Sequence, residues 1–597
     1  MSEYIAPIRD MQFVLKELAG LEQVAQLPGC EEATPDLVDA VLEEAAKFAE
    51  EVLSPLNISG DLEGARWHDK MVTMPAGFKE AYQLFAESGW TALACEPEWG
   101  GQGLPKVVAA AVGEMWKSAN HAFSLCPLLT AGAIEALVLT GSEQLKKDYL
   151  EKMVSGAWTG TMNLTEPNAG SDLAAVRTRA EPQTDGSYKI FGQKIFITYG
   201  EHDMAENIVH LVLARTPTAP EGVKGISLFV VPKFMVTADG RIGDRNDAYC
   251  VSIEHKLGIH ASPTAIMAFG DHSGAVGYLV GEENRGLEYM FIMMNAARFG
   301  VGLEGVAACE RSYQRARDYA RDRVQCTDVG VRGGPKVAII AHPDVRRMLM
   351  TMRAHAEATR ALAYVVAAAH DAALHHPDAA ERKRNQAFVD LMIGVVKGWS
   401  TESGVSIASI GIQVHGGMGY VEETGAAQHL RDAQISTIYE GTTGIQANDL
   451  IGRKIAREGG ATLKALIGTI RALDGELAGQ GGAHLPAIRR RLTAGVDALA
   501  DAGDWLVATY RSDVRAASAG AVPFLTLLGI VAGGWQMARA ALIAQARVDA
   551  GDTDPFYAAK VVTARFYADH VLSKAAGLAS SVTDGAEGVM GLAEDMF

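Results

Sequence analysis

The residues best suited to chemistry lie between positions 413 and 450. This stretch holds three clustered glycines, an Arg-Asp pair and one carboxylate, Glu440, which is followed by Gly441 and two threonines. Glu440 closes the apolar, β-branched run of residues 435–439. If its carboxyl group lies in a dry pocket, burial disfavours the charged form and raises its pKa. A raised pKa would suit a general base near neutral pH. A solvated loop carboxylate is the alternative.

Two further segments offer a surface for a flat ligand. Residues 165–172 combine hydroxyls, a glycine and backbone N–H groups in a polar cradle suited to a heterocycle or phosphate edge. Residues 192–198 end a predicted strand, on which the ring of Phe196 and the hydroxyl of Thr198 share one face. An aromatic face beside a hydrogen-bond donor suits a flat ring system. A plain turn and an ordinary half-buried strand are the alternatives.

Phosphate binding is a possible role for two other features. The glycines of residues 413–419 would let the backbone approach a pyrophosphate, but no preceding strand supports a GxGxxG fingerprint. Arg323 closes a long predicted helix and could meet a phosphate there. A solvated arginine that complements the helix dipole explains Arg323 equally well.

Length, charge and cysteine content limit the class of protein. The chain has 597 residues, which predicts two to four structural units. Its formal charge of -18 would repel phosphate backbones, so we expect no nucleic acid partner. Six scattered cysteines without CxxC spacing argue against a metal site or a disulfide framework and suit a reducing cytosol. We therefore expect a cytoplasmic protein, and residues 1–19 show no secretory signal.

One uncharged segment needs comparison with a membrane span. No charged side chain occurs between Arg515 and Arg539. Glycines, a proline and polar residues interrupt this segment, and its dense apolar part is shorter than the roughly 20 residues that a span needs. We therefore predict a buried helix of a bundle and no transmembrane segment.

The composition and the hydrophobic periodicity of the sequence change three times along the chain. Residues 1–155 are Ala-rich and amphipathic, which predicts helices. Short β-branched runs follow and predict strands at residues 188–198, 207–214, 226–231, 265–269 and 276–279. Helical patterns resume near residue 287, with a polar loop at residues 324–336 and a further helical unit after residue 460. The fold class is α+β, with predicted domains at residues 1–158, 159–284, 285–458 and 461–597.

Taken together, these motifs resemble the acyl-CoA dehydrogenase family from about residue 80 to residue 457. LTEPNAGSD is similar to the family's first signature, and the stretch from QVHGGMGY to LRDAQISTIYEGT is similar to its second. KGISLFVVPK and EHKLGIHASPT stand where the family has strands. The appended residues 461–597 resemble the longer branch of the family. That branch includes 3-methylmercaptopropionyl-CoA dehydrogenases and long bacterial fatty acyl-CoA dehydrogenases.

The resemblance implies a fold and a reaction. It implies an N-terminal helical domain, a middle β-barrel-like domain and a C-terminal helical bundle, with FAD between the last two. Glu440 matches the base that takes the α-proton of the acyl thioester while the β-hydride goes to flavin N5. The base's backbone N–H and a ribityl hydroxyl hold the thioester carbonyl. The implied acceptor of the electrons is an electron-transfer flavoprotein, and both a fatty acyl-CoA and 3-methylmercaptopropionyl-CoA remain open as substrate.

The resemblance also assigns binding residues. FAD contacts are implied for Thr165, Ser171, Phe196, Thr198, Arg323, Gln413, Gly416, Gly417 and Thr442. Acyl-CoA contacts are implied for Ser171, Asn295, Arg298, Tyr439 and Gly441. Arg323 and residues 413–417 match groups that reach the FAD of a neighbouring subunit, so a homodimer is implied. Some members carry the base on an earlier helix, beside an arginine that matches Arg298. That place is Ala297 here, and alanine cannot act as a base.

The chain departs from the family pattern at several positions. Phe196 replaces the usual tryptophan, so a stacking face is kept and an N–H is lost. Asn163 replaces a small residue, and Gly444 replaces a glutamine that often stands four residues after the base. The loop after Arg323 is an insertion, which puts the FAD contacts from that helix end in question.

Three other functions are compared with a dehydrogenase. An acyl-CoA oxidase shares the base and the extra C-terminal unit, so it stays open. A nucleic-acid-binding relative of the alkylation-response type would carry a basic C-terminal unit, whereas residues 461–597 hold twelve basic and fourteen acidic side chains. A flavin-binding scaffold without activity would be expected to lack the base, and Glu440 is present.

Overall fold

A computed structural model describes residues 4–597 of the chain. The chain forms two compact units. The helical unit comprises the residues up to 46, residues 105–118 and residues 299–597. The sheet unit comprises residues 47–104 and 119–298. The four predicted domain ranges stay a prediction.

The strands lie mostly between residues 158 and 280. They are β1 (Arg66–His68), β2 (Met71–Thr73), β3 (Trp158–Asn163), β4 (Arg179–Pro182), β5 (Tyr188–Thr198), β6 (Asn207–Ala214), β7 (Ser227–Pro232), β8 (Phe234–Val236), β9 (Ile242–Arg245), β10 (Ala248–Ile253), β11 (Thr264–Phe269), β12 (Ala275–Val280), β13 (Val324–Thr327) and β14 (Lys336–Ala338). Eight of them form one sheet in the order β10-β11-β5-β12-β7-β6-β3, with β4 paired to β5. Strands β3 and β6 run parallel, and the partners of β5 are antiparallel.

The helices fill most of the remaining chain. They are α1 (Ile8–Phe13), α2 (Leu21–Val24), α3 (Pro35–Phe48), α4 (Pro55–Glu63), α5 (Phe78–Glu87), α6 (Lys106–Ala119), α7 (His121–Thr140), α8 (Glu143–Val154), α9 (Gly286–Asp322), α10 (Pro343–His375), α11 (Ala379–His415), α12 (Ala426–Gln434), α13 (Thr443–Asp449), α14 (Ala461–Gly479), α15 (Leu485–Ser512), α16 (Val514–Ala519), α17 (Ala521–Asp549), α18 (Pro555–His570), α19 (Ala575–Thr583) and α20 (Ala586–Met590). Helices therefore flank a sheet-rich middle, which confirms the predicted α+β class.

The strand predictions were correct for long β-branched runs and incomplete elsewhere. All five predicted strands form, with ends shifted by at most one residue. Strand β3 was missed because Gly160 and Asn163 weaken the β pattern of its sequence, WTGTMN. Burial and parallel pairing with β6 stabilise the strand. The loop predicted at residues 324–336 is wrong at its ends, which pair as the hairpin β13–β14, whereas residues 328–335 form the predicted loop. Strand β13 is exposed along its whole length, so no buried face marks it in the sequence.

The core of the sheet unit forms where α7 crosses β3. Trp158, Leu137 and Leu150 are fully buried there. A Cβ built at Gly160 of β3 would lie 2.5 Å from Cβ of Ala133 in α7. Glycine at position 160 is therefore required for this close approach of helix and sheet.

Helix α17 is the uncharged segment predicted to be buried. Both α7 and α17 are long and apolar enough to cross a membrane, but 67% and 83% of their most apolar windows are buried. Gly529 and Gly533 of α17 pack against the indole of Trp399 in α11, where added Cβ atoms would lie 2.3 and 2.5 Å from ring carbons. The structure thus places α17 inside the bundle of the helical unit, against α11.

A buried arginine joins four helices of the helical unit. Arg360 of α10 is 1% exposed. Its guanidinium donates to Asp10 at 2.7 Å, to Glu310 at 2.8 Å and to Glu114 at 2.5 and 3.0 Å. These carboxylates belong to α1, α9 and α6. Because a buried charge is costly without partners, the arginine and its acceptors require one another.

Lys560 extends this network to α18 of the appended segment. Its buried ammonium pairs with Asp10 and, at 2.8 Å, with Glu357 of α10. Burial alone would raise the pKa of Asp10, but the charges of Lys560 and Arg360 lower it to about 2. Since that pKa is depressed, the stabilisation is present above the unfolded pKa and is lost as the pH falls through the folded one.

We predict that Lys560→Met destabilises the protein strongly. The change leaves Asp10 and Glu357 buried beside fewer cations, and breaking a buried pair from one side typically costs about 3–5 kcal/mol. Lys464→Met makes the same chemical change in the pair with Asp504, which is exposed. Exposed pairs contribute little, so this control should unfold like the wild type. Thermal unfolding that is equal for both variants would contradict the prediction.

Candidate functional site

Glu440 lies in a loop of the helical unit with an unusual backbone. The loop follows the 3₁₀ turn Ile435–Thr437 and precedes α13. Glu440 has a φ of +55°, and Gly441 follows with a φ of +92°. A non-glycine residue in this left-handed region costs about 1–3 kcal/mol and persists where surrounding structure imposes it. The half-buried Glu440 is therefore held, rather than left in a mobile loop.

Two buried side chains hold the backbone carbonyls of Glu440 and Gly441. Nε2 of Gln446 donates to the carbonyl of Glu440 at 2.9 Å, and Nζ of Lys397 donates to that of Gly441 at 2.7 Å. Gln446 is 1% exposed and Lys397 is 0% exposed. A Cβ built at Gly441 would lie 2.7 Å from Nε2 of Gln446, so the contact requires glycine. The exposed Thr442 caps α13 by accepting from the backbone N–H of Ile445.

Tyr439 links the loop to α9. Its hydroxyl donates to Oε2 of Glu304 at 2.5 Å, and Glu304 is buried. Burial raises the pKa of Tyr439 well above its usual value, and the negative charges of Glu304 and Glu440 raise it further. The predicted rise of the Glu440 pKa itself stays a prediction.

In the sheet unit, a buried ion pair anchors the segment that contains Thr165. Lys194 of β5 is fully buried, and its ammonium donates to the carbonyl of Leu164 and to Oε1 of Glu166, both at 2.9 Å. The backbone N–H of Ile195 donates to the carbonyl of Thr165 at 2.9 Å. Burial lowers the pKa of Lys194 to about 8. Thr165 is half-buried and is thereby fixed beside β5.

Glu166 also closes the loop that contains Ser171. Its carboxylate accepts from the backbone N–H groups of Arg177 at 2.7 Å and Thr178 at 3.0 Å. Burial would raise the pKa of Glu166, but the Lys194 charge and these hydrogen bonds lower it. Ser171 is exposed, and the Asp172 side chain after it caps the turn Leu173–Ala175.

A bulge in β5 turns Phe196 outward. The register between β5 and β11 shifts beside Phe196, whose φ is +58°. A bulky residue in this region is an outlier, and bulges commonly redirect a side chain. The Phe196 ring is 59% exposed, Ile197 is buried and Thr198 is half-buried. An exposed aromatic ring two residues from a half-buried hydroxyl fits a planar heterocycle.

The ends of α9 and α11 meet in the helical unit. Tyr319 and His415 stack with ring centroids 4.3 Å apart. Arg323 follows α9 and is exposed, as is Gln413 in the last turn of α11. Cβ atoms at Gly416 and Gly417 would meet nothing within 4 Å, so this end has room for another group.

Asn295 and Arg298 lie one turn apart on α9, within the sheet unit. Nη1 of Arg298 donates to Oδ1 of Asn295 at 3.3 Å, and its guanidinium lies 5.8 Å from the ring centroid of Phe291. Ala297 is buried. These residues stay predictions as substrate contacts.

The predicted site residues are divided between the two units. The helical unit holds Arg323, Gln413, Gly416, Gly417, Tyr439, Glu440, Gly441 and Thr442, and the sheet unit holds Thr165, Ser171, Phe196, Thr198, Asn295 and Arg298. The sequence analysis missed Lys397, Gln446 and Glu304. Lys397 had a signal, because it is the lone charge in the apolar segment 391–401. Within residues 4–597, no three His, Cys, Asp or Glu side chains form a group that could hold a metal ion.

Comparisons with known protein families match almost the whole chain. Residues 36–157, 161–271 and 284–455 match the N-terminal, middle and C-terminal domains of acyl-CoA dehydrogenases. Residues 462–593 match the family described as acetyl-CoA dehydrogenase C-terminal like.

Similar proteins include two long bacterial relatives. The chain is 51% identical to 3-methylmercaptopropionyl-CoA dehydrogenase of Ruegeria pomeroyi over 581 residues, 97% of this chain and 98% of the relative. It is 36% identical to the broad-specificity linear acyl-CoA dehydrogenase FadE5 of Mycobacterium tuberculosis over 591 residues, 96% of each.

Two solved structures share the fold. Caenorhabditis elegans ACDH-11 in complex with C11-CoA has a TM-score of 0.74 at 21% identity, covering 96% of this chain and 93% of that one. The Bacillus anthracis acyl-CoA dehydrogenase complexed with FAD has a TM-score of 0.73 at 19% identity, covering 95% of this chain and 91% of that one.

We predict that Glu166→Gln loosens the loop from Thr165 to Thr178. The amide replaces one acceptor oxygen by a donor. Either the N–H of Arg177 loses its acceptor at Oε2, or Lys194 and the N–H of Thr178 lose theirs at Oε1. Hydrogen exchange of at least one of these two amides should become faster. Glu181→Gln, in the exposed pair with Arg179, should leave their exchange unchanged. Equal exchange in wild type and Glu166→Gln would show that the carboxylate does not anchor the loop.

Proposed function

The chain belongs to the acyl-CoA dehydrogenase family, and from that premise we propose that it oxidises an acyl-CoA thioester to the trans-2-enoyl-CoA with FAD and with Glu440 as base. The observation that carries the proposal is the held, left-handed conformation of Glu440. Backbone strain of this kind clusters at active sites. A carboxylate on a held backbone, beside the half-buried Tyr439 and its hydrogen bond to the buried Glu304, suits proton abstraction.

The site residues of this chain have separate proposed roles in binding FAD and in removing the proton. FAD, when bound, supplies the acceptor of the β-hydride. Phe196 and Thr198 would hold its ring system, with Thr165 and Ser171 at the ring edge. The Glu440 carboxylate would take the α-proton, and its backbone N–H would hold the thioester carbonyl. A donor aimed at developing negative charge is worth about 3–4 kcal/mol in comparable sites.

The ends of α9 and α11 support a role for a second subunit. Arg323, Gln413, Gly416 and Gly417 are exposed together, and the two glycines leave open space. We propose that they contact the FAD of a partner in a homodimer and that Thr442 contacts the chain's own FAD. Asn295, Arg298, Tyr439, Gly441 and Ser171 are proposed to contact acyl-CoA. Six free cysteines favour a cytoplasmic location.

We propose 3-methylmercaptopropionyl-CoA as substrate, with linear fatty acyl-CoA as the second candidate. The support is the 51% identity to a dehydrogenase named for the thioether substrate, against 36% to one named for linear substrates. Both relatives are named dehydrogenases, so an electron-transfer flavoprotein is the proposed acceptor rather than oxygen. The appended helices, which an oxidase shares, do not separate the two acceptors.

We predict that Glu440→Gln abolishes flavin reduction while FAD and acyl-CoA still bind. The change is nearly isosteric and keeps the backbone N–H, but the amide cannot accept the proton. General-base catalysis contributes about 10²–10⁴-fold, and a carbon acid this weak should lose the upper figure or more. Glu440→Asp should retain part of the activity. Glu423→Gln, on an exposed turn nearby, is the matched control and should reduce flavin normally. Near wild-type reduction in Glu440→Gln would remove Glu440 from the mechanism.

We predict that the thioether acyl-CoA reduces the flavin faster than straight-chain acyl-CoAs. A panel of acyl-CoAs mixed anaerobically with the holoenzyme gives the ranking as bleaching rates. Subsequent exposure to air should reoxidise the flavin slowly, and an electron-transfer flavoprotein should reoxidise it rapidly. Fastest reduction by a long straight chain would favour the second substrate. Rapid reoxidation by air would favour an oxidase.

A further inference from the structure

Lys397 is an ammonium buried in an apolar part of α11. It is fully buried, and its neighbours in the sequence are the apolar residues of MIGVV before it and GW after it. A buried lysine is costly and is retained where its charge or its hydrogen bonds are needed. Its hydrogen bond to the carbonyl of Gly441, 44 residues away, crosses from α11 to the loop of the proposed base.

The two carbonyl contacts together fix consecutive peptide planes. A peptide unit is planar and trans, so holding its oxygen sets the orientation of the whole unit. Gln446 holds the unit between Glu440 and Gly441, and Lys397 holds the next one. In a trans unit the N–H points away from the C=O, so the N–H of Gly441 is directed away from Gln446. The two units meet at Cα of Gly441, so the two buried donors restrain the backbone angles of Gly441 and the peptide unit that follows Glu440.

The local sequence does not impose this conformation. L-residues other than glycine disfavour the left-handed region, so the loop would relax at Glu440 without outside contacts. The helix cap at Thr442 fixes the start of α13 but not the two residues before it. The donors from α11 and α13 hold the chain after Glu440, and the hydrogen bond from Tyr439 to Glu304 holds the residue before it.

We propose that Lys397 and Gln446 are positioning residues that aim the Glu440 carboxylate and its backbone at the acyl-CoA α-carbon. The proposal rests on the proposed function, since it assigns how the base of that same site is held. Neither residue needs to touch substrate or cofactor. Their effect passes through the peptide units of Glu440 and Gly441.

The appended segment supports the part of α11 that carries Lys397. Leu525 of α17 packs against Gly398, where an added Cβ would lie 3.0 Å from its methyl carbons. Trp399, two residues after Lys397, packs its indole against Gly529 and Gly533. Helix α17 thus packs against the residues that follow Lys397 and restricts movement of the Lys397 side chain relative to the loop.

The test compares Lys397→Met and Gln446→Met with the wild type as FAD-loaded enzymes. Each change removes one donor and keeps an unbranched side chain. A misplacement of about 1 Å can cost about 100-fold in rate, so anaerobic flavin reduction should fall by about that factor. FAD content and acyl-CoA affinity should change less than about threefold, because the donors do not contact either ligand. The control is Thr401→Val, one turn along α11, whose hydroxyl bonds only to carbonyls of its own helix.

A second readout separates aiming from general destabilisation. An acyl-CoA with sulfur in place of the β-carbon has an acidic α-proton but no β-hydride to give. When the base deprotonates this analogue, a long-wavelength absorption band develops on the oxidised flavin. The band should appear in the wild type and in Thr401→Val, and it should be weaker or shifted to higher pH in both donor variants. A purely structural role would leave the band of the remaining holoenzyme unchanged.

The outcomes decide between the proposals. Wild-type reduction rates per bound FAD in either donor variant would overturn the positioning role while Glu440→Gln still tests the base. If Lys397→Met fails to fold, Gln446→Met decides alone, because it removes a donor without removing a buried charge. If Glu440→Gln itself reduces flavin normally, the proposed function fails first, and the positioning role fails with it.

Discussion

The left-handed backbone at Glu440 and Gly441 is the constraint on which the proposed site depends. Such a conformation at a glutamate is unfavourable by itself, so the fold must supply donors that make it the stable state. The two donors lie on α11 and α13. Tyr439, the residue before Glu440, donates a hydrogen bond to the buried Glu304 of α9. Three helices thus converge on one short loop. These contacts form within the chain itself, without a bound ligand, so the proposed site is preorganised.

One of these three helices, α9, also takes part in a network of buried charges. Arg360 and Lys560 neutralise carboxylates of α1, α6, α9 and α10 inside the helical unit. Replacing such a network by apolar groups need not destabilise a protein, but breaking it from one side does. It therefore fixes which helices pack together. Helix α18 takes part through Lys560, and α17 packs on Trp399, so the appended segment is integrated into the unit that carries the proposed base.

Sequence reasoning predicted the long strands better than the contacts that hold the proposed site. The run of β-branched residues identified β5 and β6 within one residue, and the Glu440 motif stood out by its residue types. It missed β3, which depends on pairing, and read the β13–β14 hairpin as a loop. The hydrogen bond from Lys397 joins residues 44 positions apart, which no local pattern encodes. The hydrogen bond from Gln446 spans six residues but depends on how the loop turns back onto α13. The left-handed φ of Phe196 likewise follows from a bulge against β11, which appears only once the strands pair.

The central claim is that Glu440 removes an α-proton from an acyl-CoA in the step that reduces the flavin. Single-turnover flavin reduction under anaerobic conditions, with acyl-CoA deuterated at the α-carbon or at the β-carbon, tests it directly. The account predicts that deuterium at either carbon slows the wild-type enzyme and that the product is the trans-2-enoyl-CoA. Flavin reduction that ignores α-deuterium, or that yields no 2-enoyl-CoA, would contradict it.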